Sequence, residues 1–181
     1  MKQKYCYLLL PLLCVVLGAG CASPISVTNM QVKAVQIQNH HPFTVSVQAA
    51  GGHETNPLLY PDISNESFAQ AISDSIVQNG VFSSVISSGK GDYLLEASII
   101  NVDRPAAGFD MTVVMTVNWK LTHVSSRKIV YQSVVEKSFS ATVGDAFVGM
   151  KRFRLAQEGA ARENIQEGLR RLSQLNLRGD E

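Results

Sequence analysis

The sequence is poor in cysteine, in aromatic residues and in net charge. It has three cysteines among 181 residues, and none of them follows Cys21. A domain built after that position has no disulfide available, so it must be stabilised by an apolar core. The formal net charge is +1. A balance so close to neutral gives no general reason to bind nucleic acid.

Motifs for catalysis and for cofactors are also missing. The sequence contains no HExxH, CxxC, GxSxG or Walker-type phosphate loop. His40, His41 and His53 come nearest to a zinc site, but adjacent histidines rarely both bind one ion and no helix sets their spacing. No two carboxylates stand as an acid–base pair. We therefore expect no catalytic residue, no metal and no cofactor, and we interpret the chain as non-enzymatic.

The N-terminus is the most informative part of the sequence. A basic start with Lys2 and Lys4 is followed by an apolar run over 5–16 and by small residues up to Cys21. This order is typical of a secretory signal, and the run is shorter than the roughly 20 residues that span a membrane. The segment Leu17-Gly18-Ala19-Gly20-Cys21 resembles a lipobox, although its leucine stands one position further from the cysteine than in the usual pattern.

Cysteine usage separates two interpretations of this signal. An ordinary signal peptide would leave Cys21 as an unpaired thiol in an oxidising compartment. A lipid on Cys21 removes that problem, because Cys6 and Cys14 leave with the signal. The resemblance implies palmitate on Cys21. By resemblance to enterobacterial lipoproteins, Ala22 in place of aspartate lacks the signal for retention in the inner membrane, which implies anchoring in the outer membrane with the domain facing the periplasm.

Removal of the signal peptide over 1–20 leaves enough chain for one domain. Lys2 and Lys4 leave with it, so 14 of the 16 basic residues remain against 15 acidic residues, and the mature net charge is −1. We expect a lipidated N-terminus and tether over 21–41, a single domain over 42–176 and a tail over 177–181.

Hydrophobic periodicity predicts two helices. The first begins at Ser64 or Asn65, since either side chain can cap it, and ends at Gly80 in a left-handed conformation. The second begins at Asp145 and ends near Leu175. Glycines at 149, 159 and 168 are costly inside a helix, at about 1 kcal/mol each. They therefore indicate either close approach to a neighbouring element or a break.

Alternation of apolar and polar residues predicts the strands. Strands are expected over 43–48, 93–104 and 129–141, and the segment Met30–Gln38 is also interpreted as a strand. The clearest pattern has Val113, Val117 and Trp119 on one face, with Thr116 and Asn118 on the other. Together the elements predict an α+β fold, with an antiparallel sheet of about four to five strands and two helices packed on one face.

Three short segments carry a family resemblance: Phe68-Ala69-Gln70-Ala71-Ile72, Gly80-Val81-Phe82 and Gly91-Asp92-Tyr93-Leu94-Leu95-Glu96-Ala97. They are similar to segments of small bacterial outer-membrane lipoproteins. These include the auxiliary lipoproteins of ABC-type transport systems and, more distantly, the lipopolysaccharide-assembly lipoprotein. The resemblance implies one sheet against two helices, and action by binding.

These observations predict a lipid-anchored accessory or assembly partner in outer-membrane transport or envelope maintenance. It would contact the membrane through Cys21 and bind an envelope protein through Thr112, Thr116, Asn118 and Lys120, on the strand face that two helices leave uncovered. One alternative is a carrier of lipid or another apolar ligand, with a cavity lined by Met111, Met115 and Trp119. A second alternative is an enzyme of unknown type.

One local charge cluster, Lys151-Arg152-Phe153-Arg154, has two interpretations. It either touches anionic headgroups or an acidic partner, or it is a solvated helix face in which Arg154 pairs with Glu158 at i,i+4. We favour the second.

Overall fold

The computed structural model describes residues 24–56, 60–87, 90–105 and 108–177. The predicted signal peptide, the lipidation site Cys21 and most of the predicted tail lie outside these residues. The elements are α1 (Val27–Met30), β1 (His41–Ala50), α2 (Asn65–Asn79), β2 (Phe82–Val85), β3 (Tyr93–Asp103), β4 (Met111–His123), β5 (Lys128–Ala141) and α3 (Gly149–Leu172). The α+β class is confirmed. The described strands form one five-stranded sheet in the order β2-β1-β3-β4-β5.

The sheet is mixed, which corrects the prediction of an antiparallel sheet. β1 pairs in parallel with β2 on one side and with β3 on the other, whereas the β3–β4 and β4–β5 pairs are antiparallel. β2 follows β1 as far as Val45, and β3 begins on the other side of β1 at the same residue. Alternation shows which residues share a face but not the direction of the neighbouring strand. The alternation of apolar and polar residues therefore cannot reveal that β1 pairs in parallel with its neighbours.

The connection from β2 to β3 crosses close to the backbone of β1. A Cβ on Gly91 would lie 3.1 Å from the Ser46 amide nitrogen and 3.2 Å from the Thr44 carbonyl oxygen. Asp92 then accepts hydrogen bonds from the Thr44 amide at 2.7 Å and from its hydroxyl at 2.8 Å. Gly91 and Asp92, quoted above for the family resemblance, therefore shape and hold this crossing.

Helix α2 begins and ends as the sequence predicts. The Ser64 hydroxyl accepts a hydrogen bond from the Ser67 amide at 3.1 Å. Gly80 has φ 63° and donates its amide to the carbonyls of Ile76 and Val77. Helix α3 begins later than predicted, because the Asp145 carboxylate accepts from the Thr142 amide at 2.7 Å and closes a turn before the helix.

Two glycines allow α3 to approach the sheet closely. A Cβ on Gly168 would lie 2.5 Å from the indole ring of Trp119, and one on Gly159 would lie 2.2 Å from the ring of Phe139. Of the two interpretations of these glycines, close approach is the correct one, since α3 is unbroken from Gly149 to Leu172.

A third helix and an irregular stretch pack onto the two long helices. We call residues 24–40 the N-terminal segment. Its buried residues include Met30 and Val32. The Val32 amide donates to the Ser75 hydroxyl at 3.0 Å, and the Gln38 amide donates to the Ser173 hydroxyl at 3.2 Å. Because side chains of α2 and of the residue that follows α3 satisfy these amides in place of a neighbouring strand, the prediction of a strand over Met30–Gln38 is wrong.

Candidate functional site

One face of the sheet points away from the described helices, and we call it the open face. On β4 the residues that face the helices are at most 1% exposed: Val113, Met115, Val117, Trp119 and Leu121. The alternate residues are half-buried or exposed: Thr112, Val114, Thr116, Asn118, Lys120 and Thr122. The predicted facing of this strand is confirmed. All four residues predicted to bind a partner lie in one row on the open face.

Polar side chains on the open face bond to one another across neighbouring strands. Four such pairs are present: Thr112–Ser140 (2.7 Å), Lys120–Glu96 (2.7 Å), Thr116–Glu136 (3.2 Å) and Asn118–Gln132 (3.4 Å). The first three pairs join residues that are partners in the strand register, whereas Asn118 and Gln132 are diagonal neighbours, since Gln132 is the register partner of Lys120. The pairs hold the side chains in place, and the charge of Lys120 is balanced by that of Glu96.

Apolar side chains lie among these polar pairs. Ile100 is 58% exposed and Val134 is 53% exposed. Val134 is the register partner of Asn118 on the open face, and Ile100 sits at the register shift between Ile99 and Asn101. The open face thus combines hydrogen-bonding groups, both neutral and charged, with accessible aliphatic groups, a mixture that also occurs in protein–protein interfaces.

The candidate zinc ligands have separate roles. His40 Nδ1 lies 2.6 Å from the Gly80 carbonyl, and His41 Nε2 lies 3.0 Å from the Leu172 carbonyl. His53 donates its amide to the Ile63 carbonyl at 3.0 Å. Across 24–56, 60–87, 90–105 and 108–177, no three His, Cys, Asp or Glu side chains are grouped as metal ligands.

The charge cluster of α3 is divided between two structural roles. Arg154 lies 3.7 Å from Glu158, so the predicted i,i+4 pair is confirmed. Arg152 is buried and donates to the carbonyls of Ala146 at 2.9 Å and Phe147 at 2.7 Å. The cluster therefore does not form one solvated patch.

Sequence reasoning did not predict the buried hydrogen bonds of Asn164 and Glu158 on α3. Asn164 accepts a hydrogen bond from the indole N–H of Trp119 at 2.9 Å and donates to the carbonyls of Met115 and Val135. Glu158 accepts from the Ser26 amide and from the Asn29 side chain, both at 2.8 Å. A polar residue on the apolar stripe of a helix signals a buried hydrogen bond, but the pattern does not say with which partner.

Within the described ranges, no helix combines the length and apolarity needed to cross a bilayer.

A sheet with helices on one face places the protein in a class known from solved bacterial structures. The chain is similar to protein XCC0632 of Xanthomonas campestris, which carries the family label DUF330, with a TM-score of 0.57 and 13% identity, covering 78% of this chain and 92% of that chain. It is similar to hypothetical protein CT253 of Chlamydia trachomatis, with a TM-score of 0.54 and 11% identity, covering 73% and 96%. It is also similar to PelC of Paraburkholderia phytofirmans, crystallised as a dodecamer, with a TM-score of 0.51 and 16% identity, covering 77% and 92%.

At these identities the likeness shows a shared fold and nothing about activity. No protein-family model matches the sequence, and no curated protein matches it at a significant level. The resemblance to transport-auxiliary and lipopolysaccharide-assembly lipoproteins stays a prediction.

Proposed function

We propose that this chain is a lipid-anchored envelope protein that binds another envelope protein on its open face. It acts as a non-enzymatic accessory or assembly partner in outer-membrane transport or envelope maintenance. Cys21 supplies the anchor in the outer membrane, and the domain faces the periplasm. The observation that carries the proposal is the contrast between a sheet face covered by helices and a second face whose polar groups are ordered but accessible.

The order of the open face supports docking. Side chains that already bond across strands, such as Thr112 with Ser140, lose little conformational entropy when a partner covers them. The accessible Ile100 and Val134 provide apolar area to bury. Antiparallel strands also tolerate a wet face, so an experiment must separate docking from simple solvation.

Three carboxylates are already held by hydrogen bonds. Hydrogen bonds from Thr44 lower the pKa of Asp92, and hydrogen bonds from Thr142 lower the pKa of Asp145. Hydrogen bonds from Arg170 and Arg171 lower the pKa of Glu167 to about 2. A carboxylate whose pKa is lowered and whose oxygens already accept hydrogen bonds is a weak general base, so these three side chains are poor candidates for catalysis.

Packing does not support the alternative of an apolar-ligand carrier. Its cavity would have to lie between α3 and the residues Met115 and Trp119. Both side chains are buried, and the Trp119 indole lies directly against Gly168. Protein side chains already occupy this space, whereas the open face has no described helix over it.

The anchor is tested by Cys21→Ser. This change should abolish palmitate labelling and release the exported protein from membranes. Continued labelling of the variant would contradict the anchor.

The docking face is tested by photo-crosslinking amino acids in living cells. Probes at Thr112, Thr116 and Asn118 should form adducts with one envelope protein. Gln78, which is exposed on α2, is the matched control and should form none. Adducts of equal yield at Gln78 and Thr116, or adducts at Gln78 alone, would overturn the docking proposal.

A further inference from the structure

Two loops at one end of the molecule expose apolar side chains. Phe109 is 85% exposed and Phe147 is 89% exposed, and Val143 and Val148 are 42% and 59% exposed. We call these four residues the apolar tip. Exposed apolar side chains that are grouped in one place mark a contact surface.

The strand register brings the two loops together. Met111 at the start of β4 is paired with Ala141 at the end of β5, so Phe109 and Val143 leave the sheet at the same end. A Cβ on Gly149 would lie 4.0 Å from the Met111 side chain, so the start of α3 is also at this end.

Buried and hydrogen-bonded groups hold the loop between β5 and α3 in a defined conformation. Arg152 is 8% exposed, and its guanidinium donates to the two consecutive carbonyls of Ala146 and Phe147. On the other side of the loop, the Asp145 carboxylate accepts from both the amide and the hydroxyl of Thr142. With Ala146 buried, the adjacent Phe147 is held outward.

The N-terminal segment points towards the same end. The Ser26 amide donates a hydrogen bond to Glu158, and the Gln38 amide donates to the Ser173 hydroxyl. Between them, the Asn29 carbonyl accepts from Arg162. Residue numbers rise together in these pairs, so the segment runs parallel to α3 and its upstream end lies towards Gly149.

The remaining distance is short enough for the anchor to reach the tip. Glu158 lies about 14 Å along the helix axis from Gly149, at 1.5 Å per residue. The five residues from Cys21 to Ser26 span at most about 17 Å. A lipid on Cys21 therefore brings the membrane within reach of the end of the domain that carries Phe109 and Phe147.

We propose that the apolar tip inserts into the bilayer that holds the Cys21 lipid and forms a second membrane contact. This inference rests on the proposed lipid anchor. Phe109, Phe147 and Val148 enter the headgroup–acyl boundary, as the apolar residues of interfacial segments do. Because the tip lies at the start of β4 and the end of β5, these strands extend away from the membrane. The open face therefore does not contact the membrane.

Charge around the tip predicts how the contact responds to salt. Asp110 and Asp145 are exposed beside the apolar residues, and Lys151 is an exposed cation in the first turn of α3. This mixture does not attract anionic lipids, so burial of apolar area drives the contact. High salt should leave it unchanged, whereas an electrostatic contact would weaken.

The test uses the mature lipoprotein in vesicles of phosphatidylethanolamine and phosphatidylglycerol. Cys21 is blocked by lipid, so a single introduced cysteine can carry an environment-sensitive fluorophore. Phe109→Cys and Phe147→Cys are the tip variants, and such exposed positions tolerate the change. Thr116→Cys on the open face and Gln78→Cys on α2 are the controls.

Brominated lipids should quench the fluorophore several-fold more at the two tip positions than at the two controls, with or without high salt. If the protein still floats with the vesicles but the tip probes are quenched no more than the controls, the proposed insertion of the apolar tip is overturned. The lipid anchor is unaffected by that result. A tip probe shielded from water but not quenched by brominated lipid would also overturn the insertion, since a protein would then cover the tip. Protein that fails to float would overturn the anchor and this inference with it.

Discussion

Trp119 and Lys120 are neighbours in β4, but they lie on opposite faces of the sheet and have different surroundings. Trp119 is fully buried against α3, and its indole N–H is bonded to Asn164. Lys120 points to the open face, where it pairs with Glu96 and both side chains remain partly accessible to water. The covered face therefore carries the stability of the domain, and the open face can change in sequence without loss of the fold.

The largest effect should follow from removing a side chain of the covered face. Trp119→Ala should cost about 3–5 kcal/mol of unfolding free energy, and Ile72→Ala about 2–5 kcal/mol, because each leaves a cavity in a packed core. Both residues are fully buried. Urea denaturation followed by circular dichroism measures the cost. Stability equal to that of the unchanged protein would mean that the facing assignment is wrong.

A smaller but clear loss is expected when the buried amide of Asn164 is replaced. Asn164→Leu leaves the Trp119 N–H and the carbonyls of Met115 and Val135 without this partner, which should cost about 2–3 kcal/mol. Gln157→Leu is the matched control, because Gln157 is also a buried amide side chain on α3. Gln157 is 1% exposed, and its amide has no hydrogen-bond partner within the described ranges.

For the control, the change should be neutral or stabilise the domain by up to about 1 kcal/mol, since an unpaired polar group is replaced by an apolar one. Equal losses for Asn164→Leu and Gln157→Leu in urea would show that the Asn164 hydrogen bonds do not stabilise the contact between α3 and the sheet.

A pH-dependent loss of about 1 kcal/mol or less is expected for Glu167→Gln. Arg170 and Arg171 lower the folded-state pKa of Glu167 from 4.5 to about 2, and pairs of this accessibility are weak. The stabilisation is fully present above pH 4.5 and is lost as the pH falls through about 2. The difference in unfolding free energy between variant and parent should be smaller at pH 3 than at pH 7, as measured by urea denaturation at each pH. A difference that grows would contradict this assignment.

The smallest effect is expected on the open face. Lys120→Ala removes the pair with Glu96, and accessible pairs of this kind contribute about 0–1 kcal/mol. A loss comparable to that of Trp119→Ala would show that the open face is part of the core and would remove the contrast between the two faces.

Sequence pattern predicted the features that depend on neighbouring residues. The alternation through β4 assigned Trp119 and Lys120 to opposite faces, and the residue types at Ser64 and Gly80 marked the ends of α2. The same reasoning placed Thr112, Thr116 and Asn118 in one row on the face away from the core, because period two follows from the geometry of a single strand. Whether a partner binds that row stays a prediction.

By itself, the sequence determined the α+β class, the bounds of α2, the facing of β4 and the lipobox-like start, since each is encoded within a few residues. Only the tertiary structure decided that β1 lies between two parallel neighbours, that residues 24–40 pack onto the helices, and that Phe109 and Phe147 share one end. These features depend on contacts between distant positions, such as the bond from Ser26 to Glu158 across 132 residues of chain. Local periodicity in a sequence cannot predict such a contact, because distant residues stabilise one another only when the folded chain brings them together.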